Sequence, residues 1–341
     1  MKTILVTGSS GFIATNFIKY LLANRKVKVI GIDKVGYAST PLNFTEHHKN
    51  KNFKFKKIDM CNYEKIYKHV KLYNPDIIVN MAADSHVDKS IDTPIPFIKN
   101  NVLSTLNLLE AVRKNKHNKI KKIIHISTDE VYGDSYNIPR KENDIYCPNS
   151  PYSASKASSD YMCNAYKKTF GMPIIILNSC NNYGPYQFTE KFIPTIILNL
   201  LNQKKIPIYG DGKNIREWIY VDDYSLAIKK LINCNTKYDQ YNIGSNLRLS
   251  NLDLVKKIIN IFFNNKVKNY KNHIVFVKDR PGHDTKYLVN SNRIRREIGW
   301  KTRFNFEKSI KETIEWYKEN PRWIKNTYNN YKNQRQGLNL K

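Results

Sequence analysis

Short apolar runs separated by amphipathic stretches dominate the first half of the chain. Lys2 to Thr7, Lys28 to Ile32, Phe53 to Ile58, Asp76 to Met81, Ile123 to Ile126 and Pro173 to Leu177 have the length and β-branched content of strands. The most apolar of them read as strands covered on both faces. Between them lie stretches with helical spacing. One runs to about Asn24, a second from Tyr63 to Leu72, and a long third from Pro94 to Lys114, whose Val102, Leu106, Leu109 and Val112 share a face. Strands alternating with helices predict an α/β fold built on a parallel, doubly wound sheet.

After about Asn178 the alternation loosens. Helices are expected near Ile193–Leu201, Val221–Leu231, Asn251–Phe263 and Phe306–Tyr317, with short strands such as Ile206–Tyr209 and Ile274–Val277 between them. Asn181 to Tyr186 and Gly210 to Lys213 read as loops by their turn residues. The expected division is a first domain over 1–178, with a segment near 213–235 returning to it. A smaller C-terminal substrate-binding domain over 179–325 and a polar tail over 326–341 complete it.

The first strand runs into Gly8-Ser9-Ser10-Gly11-Phe12-Ile13-Ala14, and the second ends at Asp33. Strand, glycine turn, helix, strand and acid in this order mark a dinucleotide-binding unit of Rossmann type. Gly8 permits the tight turn, Gly11 lets backbone approach a pyrophosphate, and amides at the helix start face that anion. Asp33 can accept hydrogen bonds from a ribose and would repel a 2′-phosphate, which favours NAD over NADP. Asp59, at the end of the third strand, can reach an adenine or simply serve its turn.

The most informative polar stretch follows the fifth strand: Ser127-Thr128-Asp129-Glu130-Val131-Tyr132-Gly133. Open α/β sheets place ligands at such carboxyl ends. Downstream, Ser150 can cap a helix with Pro151 at its first position. Tyr152 and Lys156 then lie one turn apart on one face. An ammonium beside a phenol favours phenolate, and a shift of about three pKa units would be needed near neutral pH. Adjacent acids such as Asp129 and Glu130 also suit an ordinary helix start. The surrounding motifs favour chemistry.

The net charge of +28 is large. Basic surface attracts phosphate polymers, but the lysines are spread evenly and accompany no nucleic-acid-binding motif, so no specific nucleic-acid partner is expected. No apolar run reaches membrane-span length. Cys61, Cys147, Cys163, Cys180 and Cys234 show no paired spacing, which points to a reducing, cytoplasmic compartment. No histidine pair has metal-ligand spacing, so no metal is expected.

Together these residues resemble the extended short-chain dehydrogenase/reductases and, among them, the nucleoside-diphosphate-glucose 4,6-dehydratases. The similarity runs from the glycine turn to about Pro321. Its specific marks are Ala83-Asp84-Ser85-His86-Val87-Asp88-Lys89-Ser90, Thr128-Asp129-Glu130, Asn181 to Lys191, Arg216-Glu217-Trp218 and Asp279-Arg280-Pro281-Gly282-His283-Asp284. The resemblance assigns Gly8, Gly11, Phe12, Ile13, Asp33, Lys34, Asp59, Met60, Ala82, Ala83, Tyr152, Lys156 and Asn182 to NAD. It assigns Ser85, Thr128, Asn181, Lys191, Arg216, Asn251, Arg280 and His283 to a nucleotide-sugar substrate. His86 and His125 are expected in structural or supporting places. Asn178 stands where many relatives carry arginine.

The implied reaction oxidises C4 of the glucose, eliminates water across C5–C6 and returns hydride to C6, giving a 4-keto-6-deoxy sugar on the way to a deoxysugar such as rhamnose. Tyr152 takes the O4 proton with Lys156 and Thr128 in support, Glu130 removes the C5 proton, and Asp129 protonates the leaving hydroxyl. Ala14 and Asn320 to Trp323 tilt the base slightly towards UDP-glucose, whereas Arg280 to Asp284 looks more like dTDP-glucose enzymes. Relatives form homodimers through helices equivalent to the Tyr152 helix and the Pro94–Lys114 helix. A 4-epimerase or decarboxylase of the same fold is the alternative enzyme, and an NAD-sensing or RNA-binding protein the alternative without catalysis.

Overall fold

The computed structural model describes residues 1–329 except Glu46 and Lys268; most of the polar tail expected over 326–341 therefore lies outside the described residues. In chain order the strands are β1 (Lys2–Thr7), β2 (Val27–Asp33), β3 (Phe53–Lys57), β4 (Ile77–Asn80), β5 (Lys122–Thr128), β6 (Ile174–Ser179), β7 (Asn181–Tyr183), β8 (Ile206–Tyr209), β9 (Ile215–Tyr220), β10 (Gln240–Ile243), β11 (Arg248–Ser250) and β12 (Ile274–Val277). Seven of them form one parallel sheet in the order β10-β6-β5-β4-β1-β2-β3. The order reverses between β1 and β4, which opens a crevice at their carboxyl ends.

Alternation within the apolar runs builds two cores. Ile4, Val6, Ile77, Val79, Ile124 and Ile126 point to one face of the sheet. Leu5, Ile78, Ile123, Ile174 and Ile176 point to the other, where they meet Leu109, Val112 and Cys163. A third cluster, around Ile193, Trp218, Leu254, Ile258 and Tyr317, fills the smaller C-terminal part. That part carries a three-stranded sheet, β11-β9-β7, and a two-stranded sheet, β12-β8. Among the described residues no helix is long and apolar enough to cross a membrane.

The structure departs from the patterning in three places. Asn181–Tyr183, expected as loop, is a short strand paired with β9, a strand that the patterning missed. Beyond the Val221–Asn233 helix, which the patterning expected, the chain adds β10, a strand that it missed, pairing with β6 in the main sheet. Turn residues and charge mask both segments.

The long Pro94–Lys114 helix is interrupted by a π-helical segment, Ile98–Leu103, before Ser104–Lys114 resumes as α. Asn101 explains the interruption. Its side chain accepts from the Asp84 amide at 2.8 Å and donates to the Ser155 hydroxyl at 2.8 Å, and its carbonyl accepts from Ser159. These partners draw the backbone out of α register, as π-segments near functional sites commonly are. The buried face accordingly becomes Leu108, Leu109, Ala111 and Val112, while Val102 and Leu106 are half-buried.

Candidate active site

The Pro151–Phe170 helix starts as its sequence dictates. Ser150 and Ser153 form a reciprocal capping box, Pro151 occupies the first turn, and Gly171 ends the helix at φ +63°. Tyr152 and Lys156 face β5, and the Lys156 ammonium donates to the Ile126 carbonyl at 2.6 Å. Beyond β5, Thr128 caps a 3₁₀ turn, Asp129–Tyr132, by accepting from the Glu130 amide at 3.3 Å. Gly133 closes the turn at φ +66°, where a Cβ would fall 2.1 Å from the Cys147 carbonyl oxygen. The turn thus fixes two successive carboxylates at a strand end.

A cavity of about 330 Å³ opens there. Thr128, Glu130 and Tyr152 line it, together with Ser85, Asn181, Lys191, Arg216, Asn251, Arg280 and His283, so every residue expected to hold substrate reaches one space. Asp129 is buried behind the wall, 2 % exposed. Lys156 is likewise buried and lies outside the lining. Sequence reasoning passed over several walls of the cavity, among them His86, Asp88, Gln187, Glu190, Tyr209 and Tyr287. Asp88 takes Arg280 at 3.0 Å on one oxygen and the Tyr209 hydroxyl at 2.8 Å on the other, so it aims the arginine. Asp88 and Glu190 stand inside runs already marked by the resemblance, which was the available signal.

Arg216 is held by three carbonyls, those of Ile215, Asp284 and Thr285, and lies 4.2 Å over the Tyr287 ring. His283 shares a 2.7 Å contact with Asp279. Burial, then Arg280 and Arg216, push its pKa down to about 4. His86 caps the Val87–Asp92 helix through Nδ1 and reaches 3.7 Å from Glu190, which puts it on the cavity wall as well as in a structural role. His125 is buried between β5 and the Tyr152 helix, with Asn80 at 3.0 Å and Asp160 at 3.3 Å.

The two acids differ in what surrounds them. Burial raises Asp129 well above its ordinary range, Glu130 and Glu217 raise it further, and Arg216 and Thr128 oppose. Burial raises Glu130 too, but Arg280, Arg216 and Lys191 all pull it back. Among the described residues Asp129 Oδ2 and Glu130 Oε2 meet no hydrogen-bond partner. One proton shared by such a pair belongs on Asp129.

Tyr152 does not follow the expectation of a phenol brought down by Lys156. Burial raises it well above its ordinary value, Glu130 raises it further, and Thr128, by hydrogen bonding, lowers it. Lys156 is itself lowered by burial, with Asp160 the largest opposing influence. Spacing along a helix predicted proximity correctly, but the low-dielectric surroundings outweigh it.

A second crevice, about 110 Å³, is lined by Gly8, Gly11, Asp33, Lys34, Asp59, Met60, Ala82 and Ala83. Asp33 accepts from the Ser10 amide at 3.0 Å and the Val35 amide at 2.7 Å, tying the end of β2 to the glycine turn. Lys34 reaches Asn100 at 2.7 Å, and Asp59 accepts from the Cys61 amide at 2.8 Å in its turn. Tyr37, Cys61 and Asn100 also line this crevice, unforeseen. Phe12, Ile13 and Asn182 lie on the larger cavity. An acid at the end of β2, a close glycine turn and the unpartnered buried Oδ1 of Asn182 fit a dinucleotide such as NAD.

A family model described as GDP-mannose 4,6 dehydratase matches residues 5–313. The dTDP-glucose 4,6-dehydratase of Salmonella typhimurium is 40% identical over 342 residues, covering 95% of this chain and 94% of that protein. Among solved structures, a Bacillus anthracis dTDP-glucose 4,6-dehydratase in complex with NAD superposes with a TM-score of 0.86 at 37% identity, covering 96% of this chain and 100% of that one. A Streptomyces venezuelae dTDP-glucose 4,6-dehydratase with NAD and TYD bound does so with a TM-score of 0.89 at 34% identity, covering 95% and 99%.

Proposed function

Because the chain belongs to the nucleoside-diphosphate-glucose 4,6-dehydratases of the extended short-chain dehydrogenase/reductase family, we propose that its substrate is dTDP-glucose and its product the 4-keto-6-deoxy sugar nucleotide. The slight tilt towards UDP-glucose drawn from Ala14 and residues 320–323 gives way here, since relatives near 40% identity are dTDP-glucose enzymes. The observation that carries the reading is the unequal pair at the end of β5. Asp129, behind the cavity wall, is raised by Glu130 and Glu217 against Arg216 alone among the cations, whereas Glu130, on the wall beside Tyr152, is drawn down by Arg280, Arg216 and Lys191.

NAD, held by Gly8, Gly11, Asp33 and Asn182, supplies the hydride acceptor, the later hydride donor and a positive charge. Tyr152, its phenol raised by burial, is brought down by that positive charge and then accepts the O4 proton as phenolate, with Thr128 donating to the same oxygen and stabilising the ketone that forms. The C5 proton is then acidic, and Glu130, ionised under the influence of Arg280, Arg216 and Lys191, removes it. Asp129, kept neutral, donates to the departing hydroxyl at C6, because hydroxide leaves poorly on its own. Arg216 and Arg280 present guanidinium groups to the diphosphate.

The reading includes a homodimer and a cytoplasmic setting. Ile95, Ile98 and Leu103 on the π-interrupted helix and Tyr161 and Phe170 on the Tyr152 helix are large apolar side chains left exposed, Ile95 by 68 %. Sedimentation of the purified chain tests the dimer. Five free cysteines suit a reducing compartment. The activity is tested by incubation with dTDP-glucose and UDP-glucose, following loss of one water by mass; turnover of dTDP-glucose is expected to be faster. A product that keeps all its atoms would sink the dehydratase assignment in favour of epimerisation.

A further inference from the structure

The helix that carries Tyr152 and Lys156 carries a third polar residue on the same face, and the reaction as described leaves it unused. Asp160 lies one turn beyond Lys156 and is fully buried. Its Oδ2 accepts from the Ser127 hydroxyl at 2.7 Å, the Tyr146 hydroxyl at 3.0 Å and the Asn178 amide at 3.2 Å. Three donors thus converge on one carboxylate oxygen. Its other oxygen faces His125 Nε2 at 3.3 Å.

Strand alternation explains the convergence. His125 and Ser127 are two apart on β5, so both project towards the helix, while the carbonyl of Ile126 between them takes the Lys156 ammonium. The polar chain does not stop there. His125 Nδ1 meets Asn80 at 3.0 Å, Asn80 accepts from Thr7 at 2.6 Å, and the Thr7 oxygen accepts the Met81 and Ala82 amides at 3.1 Å. Asn80 donating to Nδ1 leaves the histidine proton on Nε2, facing Asp160. A buried line of polar groups therefore crosses β5, β4 and β1, from the Tyr152 helix to the wall of the dinucleotide crevice.

We propose that Asp160 is a positioning residue for the reaction: one helical turn from Lys156 and packed under the same stretch of β5 that holds the ammonium through the Ile126 carbonyl, its buried carboxylate is the counter-charge that keeps Lys156 charged, so that Tyr152 can exchange its proton. Burial alone works against a cation at Lys156. The titratable groups around Asp160 are His125 on β5, Tyr132 and Tyr146 between β5 and the helix, and Tyr152, Lys156 and Cys163 on the helix itself. Of these Lys156 is the cation, because burial lowers His125 and keeps it neutral. The role of Asn178 follows: it is an amide, so it donates to Asp160 without adding a competing charge.

This rests on the dehydratase reading, which the unaltered enzyme tests by itself when it forms product. The proposal is tested on that active enzyme with Asp160→Asn, measuring kcat, KM and the pH profile of kcat together with the melting temperature. Expected are a KM within about twofold, a kcat lower by about tenfold or more, and a basic limb moved to lower pH by about one unit, the scale of one buried charge partner. Asp160→Glu should restore much of kcat. Ser127→Ala, which removes a hydrogen bond and leaves the charge, should leave the profile in place. If Asp160→Asn does not fold, Lys156→Met/Asp160→Asn should fold, because the unpaired cation is gone. An Asp160→Asn enzyme with the parent's kcat and pH profile would overturn the proposal. So would a double variant no better folded than the single one.

Discussion

Asp129 and Glu130 are consecutive, yet Asp129 is shut behind the cavity wall with Glu217 among the charges that act on it, while Glu130 lines the cavity among those of Arg280, Arg216 and Lys191. A 3₁₀ turn capped by Thr128 turns neighbours in sequence into groups with opposite surroundings. The same two carboxyl groups on an open helix start would titrate alike.

Separate losses are expected when either acid is neutralised. Glu130→Gln should abolish exchange of the C5 proton with deuterated solvent. Asp129→Asn should keep that exchange and slow water loss, by about 10²- to 10⁴-fold, the usual range for general acid–base groups. Deuterium incorporation followed by mass spectrometry checks both. Loss of exchange in Asp129→Asn with its retention in Glu130→Gln would reverse the roles.

Tyr152→Phe removes a proton acceptor while leaving the ring in its edge-to-face contact with Phe97, centroids 6.5 Å apart. Turnover should fall by at least about 10²-fold, with affinity for the sugar nucleotide nearly unchanged, as calorimetry would show. A variant as fast as the parent would remove tyrosinate chemistry from the site.

Gly8→Ala should damage stability and cofactor retention together. Gly8 has φ +63°, and a Cβ there would sit 2.8 Å from the backbone of Ala82. Strain of this kind costs about 1–3 kcal/mol. A lower denaturant midpoint and loss of NAD during purification are expected; a variant that keeps both would mean that the turn yields.

The buried histidines set an acid limit. His283 and His86 have native pKa values lowered first by burial, His283 to about 4. Their contribution to folding is present above the ordinary histidine value, about 6.5, and is lost as pH falls through the native values. Asp129 and Glu130 have the opposite sign: raised native values contribute below the ordinary carboxylate range and lose that contribution as pH rises. Between about pH 6.5 and 4 the two effects oppose each other, so the histidine's share is read by difference: as pH falls through that window, the melting temperature of His283→Gln should drop less, or rise more, than the parent's in a thermal scan.

Local sequence determined the features that depend on neighbours in the chain: the glycine turn with Asp33, the capped Tyr152–Lys156 helix, the apolar strands and the acid pair after Thr128. Each follows from spacing, caps or alternation over a few residues. Tertiary structure alone decided what those groups experience. It set Glu217 acting on Asp129, Asp88 holding Arg280, β10 against β6, and Asp160 under His125 and Ser127. It also left the Tyr152 phenol raised where spacing alone suggested otherwise. The physical reason is range: hydrophobic period and backbone caps act over a turn or two, whereas burial and charge act between segments that the sheet brings together from distant parts of the chain.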